Sequence, residues 1–368
     1  MMQAGWTDCA MGAHRVEAWD NKRLVRCFTE RPTSFISLLE NAKNTHADKK
    51  ALVFEQQRWT YQQTWDEVLR CAQALAGLGI DPQDRVLLFV SNRPEFVFVL
   101  FAIQYLGAIA VPVGIREQKP GLVYIMNQCT AKAIVFDEAL QDRIPAFSDV
   151  ASLAHRIALD TTQHTDDVLS LNALRQGAPH AHMACATTNE FDTAVILYTS
   201  GTTGNPKGAM LTHANIAHSV LHFEYGMALT HEDTAALAVP ASHVTGLIAI
   251  IAAMVHVAGA VIILREFKAA SFLAAGMARV SAAAAGAAAA GAAAAAGAAA
   301  RADQLLLSPR TVPARRRPHP RKPRRPPRRT GRSCRCHSHR TAPGRRAMQH
   351  QEWFRCLQQK TRDRTAAR

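Results

Sequence analysis

The chain predicts an α/β fold of mostly parallel sheets flanked by helices, and three features of its 368 residues carry that expectation. Short apolar runs without alternation recur, as strands buried on both faces require. Longer helical patterns with capping residues separate them, which is the strand-helix-strand order of a parallel sheet. This regular punctuation runs from Pro32 to about Arg279 and then stops.

Residues 1–31 have no clear periodicity and are expected to form an N-terminal extension. Ser34 is placed to cap a helix running to about Asn44, and residues 51–54 with 58–60 read as a short strand pair. Thr60 and Gln63 form a capping-box pair opening a helix whose apolar face carries Trp65, Val68, Leu69, Ala72 and Leu75 and which ends at Gly79. Residues 85–90 are a continuous apolar run, 92–106 a helix with Pro94 in its first turn, and 109–113 the next strand. Residues 122–129 read as helix, and 133–136 and 156–159 as strands. The polar stretch 161–190 has few apolar anchors and reads as a long connection. A strand at 193–197 leads into a loop at 198–208. Beyond it come a helix from about Thr212 to Leu229, a strand at 235–239, a helix at 244–257, a strand at 260–264 and a helix at 267–279. Residues 244–264 are apolar over the length of a membrane span, but Gly259 separates a helix-like half from a strand-like half, so a buried helix followed by a buried strand is expected, with no transmembrane segment.

Charge is unevenly distributed. The chain's +14 resolves into +18 over residues 301–368 and −4 over the first 300, so its basic character belongs to the tail alone. Residues 281–300 are alanine with three glycines and one serine, and 310–346 are dominated by Arg and Pro, a composition expected to remain disordered. Such a tail could bind nucleic acid through phosphates, but Trp353 and Phe354 are its only aromatics and no interleaving for base stacking is present. Cys334, Cys336, His337 and His339 lack the spacing of a standard zinc site, so no metal site is assigned. The eight cysteines show no framework spacing and the first 30 residues no signal-peptide core, which together favour a cytoplasmic protein.

The chemistry concentrates in residues 198–208, YTSGTTGNPKG. Glycines permit positive φ and close backbone approach, so successive N–H groups can converge on one anion. The hydroxyls of Thr199, Ser200, Thr202 and Thr203 add donors, and Lys207 adds a mobile positive charge. Strand, loop and then helix near Thr212 is the setting in which phosphate sites are commonly built. The P-loop pattern fails because Pro206 and Gly208 stand where glycine and a hydroxyl are needed, and the dinucleotide pattern lacks its first glycine. A plain surface linker is the other reading, but a linker has no need for a closing lysine and an apolar strand pointing into it.

The string YTSGTTGNPKGAMLTHANI, residues 198–216, resembles the phosphate-binding signature of the adenylate-forming superfamily, the group of acyl-CoA synthetases, aryl-CoA ligases, luciferases and peptide-synthetase adenylation domains. Residues 59–113 resemble that family's usual opening, and VPASHVTGL, residues 239–247, its next motif. The resemblance implies the large N-terminal domain of such an enzyme, truncated, over residues 32–279, followed by a tail at 280–368. It further implies ATP-dependent activation of a carboxylic acid, of fatty or other acyl type, to an acyl-adenylate and then a coenzyme A thioester, with ATP, Mg²⁺ and coenzyme A taking part. By the same resemblance Thr199, Ser200, Gly201, Thr202, Thr203, Gly204 and Lys207 hold the β- and γ-phosphates, and His243 stands beside the acyl pocket as the candidate catalytic residue. A core histidine is the alternative for His243, and the next helix's His213 reads as structural.

Later motifs of that family are not found beyond residue 300, where Asp303, Glu352 and Asp363 are the only acids. The abrupt change of composition is what a shift of reading frame between about Lys268 and Ser281 in a GC-rich gene would produce. Translation of the coding DNA in its other two frames is expected to reveal those motifs downstream; their absence from both frames rejects the shift.

Overall fold

The computed structural model describes residues 12–19, 23–161, 164–165, 167–177, 183–199 and 206–266. The expected helix at 267–279 and the Ala/Gly and Arg/Pro stretches lie outside the described residues. So do Cys334, Cys336, His337 and His339. Two sheets dominate. In chain order the elements are β1 (His14–Trp19), β2 (Arg23–Phe28), α1 (Phe35–His46), β3 (Lys50–Phe54), β4 (Gln57–Thr60), α2 (Tyr61–Gly77), β5 (Arg85–Phe89), α3 (Pro94–Tyr105), β6 (Ile109–Pro112), α4 (Lys119–Gln128) and β7 (Ala131–Phe136). They continue with β8 (His155–Ala158), β9 (Leu169–Ser170), α5 (Leu171–Gly177), β10 (Thr193–Thr199), β11 (Lys207–Thr212), α6 (His213–Met227), β12 (Thr234–Leu237), a π-helix (Thr245–Ala252), α7 (Ala253–His256) and β13 (Ala260–Ile263). The stretch 244–264 is therefore helix then strand, and among the described residues no helix is long and apolar enough to cross a membrane.

The larger sheet has the order β11-β10-β6-β5-β7-β8-β9 and is parallel except for the antiparallel edge strand β11. The smaller one, β12-β13-β3-β4, is parallel except for the β3–β4 hairpin. Alternate residues of the larger sheet enter two cores. Val86, Leu88, Ala110, Val135, Val195 and Leu197 join a core shared with α1, α2 and α3. Leu87, Phe89, Val111, Ile134 and Phe136 pack on Leu122, Ile125 and Met126 of α4. Helix α3 is buried on every side but for Glu95, which explains why its sequence lacks a polar face.

Local signals place the helices as expected. The Ser34 and Thr60 caps are both present, the latter reciprocated by the Gln63 side chain at 2.9 Å. Gly79 carries φ +73° just after α2, where a side chain would be strained. Three readings change. The polar connection 161–190 contains β9 and α5, because Ser170, with its hydroxyl donating to the Thr161 carbonyl and receiving the Ala173 N–H, starts a helix there. Within the segment taken as an extension, β1 and β2 form an antiparallel hairpin. That hairpin is held by Arg31, whose guanidinium pairs with Glu17 at 2.7 Å and Glu190 at 2.9 Å. The third change is β11, which intervenes between the loop and the helix expected at Thr212.

Breaking a largely buried ion network leaves its partner charges uncompensated. Arg31→Met is therefore expected to destabilise the protein by about 2 kcal/mol, discounted for the partial exposure of both carboxylates, as a lowered urea midpoint. His213 is buried with Nδ1 accepting the Phe35 N–H at 3.0 Å, and burial pushes its pKa down from 6.5 to about 4. Between those values the unfolded chain takes up a proton that the folded chain refuses, so stability falls as pH drops from about 6.5 to 4, by on the order of 3 kcal/mol. His213→Gln keeps an acceptor for Phe35 but does not titrate, and urea midpoints at pH 7 and pH 5 should differ less for the variant than for the parent protein.

Candidate functional site

Strand β10 carries the chain to the candidate site. Its sequence TAVILYT combines β-branched, aliphatic and aromatic residues buried on both faces, then ends at the exposed Thr199. Strand β11 returns antiparallel, with Thr199 opposite Lys207 and Tyr198 opposite Gly208. Ser200, Gly201, Thr202, Thr203 and Gly204 lie outside the described residues. Thr199 and Lys207 therefore stand as the paired, exposed feet of the loop. Gly208 is needed for space: a Cβ there would lie 2.8 Å from Ile196 Cγ2 and 3.1 Å from the Tyr198 ring. The Tyr198 hydroxyl reaches the Gln128 side chain, fastening this foot to α4, and burial raises its pKa so that the phenol stays neutral.

The base of the hairpin is fastened separately. The Ala214 N–H donates to the Glu190 carbonyl at 2.7 Å and the His213 N–H to the Asp192 carbonyl at 3.2 Å. Thr212 caps α6, with its hydroxyl accepting the Asn215 N–H and its own N–H donating to the Asn215 side chain, both at 3.1 Å. His213, through the Phe35 N–H, and Arg31, through Glu190, tie this base to the start of α1. His213 is thus a structural histidine, as its sequence position suggested.

His243 lies in an exposed turn before the π-helix. Its N–H donates to the Pro240 carbonyl at 3.1 Å, and its Nδ1 accepts the Thr245 N–H at 3.3 Å, which leaves Nε2 to carry the ring proton. Gly246 closes tightly under the turn, since a Cβ there would sit 2.3 Å from the Pro240 carbonyl oxygen. Sequence reasoning missed Asn92, taken there as the first residue of a helix; α3 starts at Pro94, and buried Asn92 contacts the His243 turn at Val239 and Ala241. The usable signal was a polar amide two residues past an apolar run buried on both faces.

The register brings the two regions to one edge. Val195 is level with Ala110, so Thr199 continues level with Gly114, just beyond β6. A Cβ on Gly114 would meet Ser242 Oγ at 3.9 Å, so the turn bearing His243 approaches the same carboxyl edge as Thr199. Parallel sheets place ligands at this edge. Nearby, Arg93 is matched by Glu95 at 2.8 Å, Asp137 at 3.2 Å and Asp160 at 2.8 Å, so its charge is already compensated. The exposed feet of the loop offer a hydroxyl and an ammonium, donors suited to an anion. Among the described residues no group of three or more metal-ligating side chains is found.

Solved structures share the fold. The anthranilate CoA ligase AuaEII in complex with anthranoyl-AMP aligns with TM-score 0.59 and 23% identity over 64% of this chain and 45% of that one. The Mycobacterium smegmatis MbtA apo structure aligns with TM-score 0.61 and 24% identity over 66% and 46%. In sequence, the crotonobetaine/carnitine-CoA ligase of Salmonella enteritidis PT4 (strain P125109) is 29% identical over 220 residues, 56% of this chain. The chain spans 41% of the length of that relative. The profile of the AMP-binding enzyme family matches residues 38–310, most of the chain and somewhat more than the sequence resemblance covered. With Thr199, Lys207 and the His243 turn at one sheet edge, this match shows that the chain belongs to the AMP-binding enzyme family.

Proposed function

We propose that these residues form the loop-bearing part of an ATP-dependent acid-thiol ligase. The enzyme activates a carboxylic acid, of fatty or other acyl type, as an acyl-adenylate and passes the acyl group to the thiol of coenzyme A. In domain terms residues 1–31 are an extension, 32–279 a partial adenylation domain and 280–368 a low-complexity tail. A cytoplasmic setting belongs to the same reading. The observation that carries it is the convergence of the Thr199–Lys207 hairpin and the His243 turn at the carboxyl edge of the larger sheet.

Joining a carboxylate to a triphosphate brings two anions together, and pyrophosphate must leave with its charge balanced. Lys207, at one foot of the loop, supplies a positive charge, and Thr199, at the other, a hydroxyl donor. Ser200, Gly201, Thr202, Thr203 and Gly204 complete the cradle in this reading, with N–H groups and hydroxyls converging on the β- and γ-phosphates. Mg²⁺, bound to the nucleotide's phosphates, would share that charge. His243 offers an Nε2–H donor from an exposed turn, suited to an oxygen of the acyl group or of the adenylate as charge develops there.

Pyrophosphate exchange with a panel of aliphatic and aromatic acids is the direct test, with acid-dependent label entering ATP as the expected result. Lys207→Ala should lower that exchange by about 100-fold or more and weaken ATP binding measured by calorimetry. Equal ATP binding by the variant and the parent chain would remove Lys207 from the phosphate site.

A further inference from the structure

We propose that Asn92 is a positioning residue for the turn that carries His243, acting as a side-chain splice between the two sheets. Its amide grips both peptide groups beside Pro240. Nδ2 donates to the Val239 carbonyl at 2.9 Å, and Oδ1 accepts the Ala241 N–H at 2.8 Å. One donor and one acceptor is what the backbone of a neighbouring strand would offer, and here a side chain supplies both. Nδ2 also faces the Leu264 carbonyl at 3.1 Å and the Leu237 carbonyl at 3.5 Å, at the ends of β13 and β12. Asn92 itself follows β5 of the larger sheet. A single buried amide therefore connects the carboxyl ends of strands from both sheets to the turn.

Movement at Pro240 passes directly to His243. The His243 N–H closes on the Pro240 carbonyl, and only a glycine at position 246 leaves space for that carbonyl, since a Cβ there would lie 2.3 Å from its oxygen. Asn92 is 7% exposed, so water cannot readily replace the amide. Asn92→Asp keeps an acceptor for Ala241 but places an oxygen against carbonyl oxygens, whereas Asn92→Ala removes both halves of the grip.

The effect on turnover rests on the acid-activating reading; the placement of the turn does not. Hydrogen exchange on the full chain, followed by mass spectrometry, reads the placement. In Asn92→Ala, exchange across residues 239–247 should quicken about tenfold or more while residues 61–77 of α2 stay unchanged, with at least as large an effect in Asn92→Asp, whose second oxygen faces only carbonyl oxygens. For turnover, kcat of pyrophosphate exchange should fall about 100-fold with KM for ATP nearly constant. Unchanged exchange at 239–247, or a rise matched in α2, overturns the proposal, as does faster exchange with unaltered kcat. Should the alanine variant not fold, the aspartate variant is read by the same criteria. A parent chain without acid-dependent pyrophosphate exchange rejects the function, and hydrogen exchange at 239–247 then decides the role of Asn92 alone.

Discussion

A strand buried on both faces has no place for a charged or reactive side chain until it leaves the sheet. Past Arg85 and Lys132 at the amino ends of β5 and β7, strands β5, β6, β7 and β10 meet that condition, with residues alternating into two cores. Their polar chemistry is consequently pushed to the carboxyl edge, where Asn92, Arg93, Gly114 and Asp137 lie beyond the ends of β5, β6 and β7 and Thr199 is the last residue of β10. The position of the candidate site thus follows from desolvation as much as from any motif. Ends of strands are also where backbone groups lose their ladder partners, and the few side chains able to replace them acquire structural importance.

That demand explains the uneven distribution of anchors around the loop. The loop's base is gripped by Arg31, His213, the Thr212 cap and carbonyls of Glu190 and Asp192. Its feet are held by the antiparallel ladder and by Tyr198 on α4. A cradle for a polyanion gains from such fixed roots, because donors that are already placed need no reorganisation when charge arrives. The N-terminal hairpin contributes to this rigidity at a distance, through Arg31 and Glu190.

Much of the fold was legible in the sequence because local and global preferences agree there. The Thr60–Gln63 box, the Gly79 stop, the apolar runs of β5 to β7 and the division of 244–264 at Gly259 each have a cause within a few residues. Strand β11 was hidden because KGAMLT has a glycine and exposed positions, and its strand form comes from pairing with β10. The β1–β2 hairpin was hidden for a similar reason: its fastening to Glu190 lies 159 residues from Arg31. The loop residues and His243 could be named from their motifs, whereas Asn92 could not, since its partners are backbone groups of residues 237–264 brought near by tertiary structure.

The smaller sheet has a consequence for how the chain is made. Strand β3 pairs with β4 at once, but its other edge waits for β13, with Leu52 meeting Val261 and Phe54 meeting Ile263. At 5–20 residues per second the ribosome delivers that partner roughly 10–40 s later. Throughout the interval the apolar edge KALVF lacks its ladder neighbour, as does the Tyr61 hydroxyl that will donate to Gly259. Early-emerging strands with late partners attract other chains, so the β3 edge is open to pairing with another copy until residue 260 has left the ribosome.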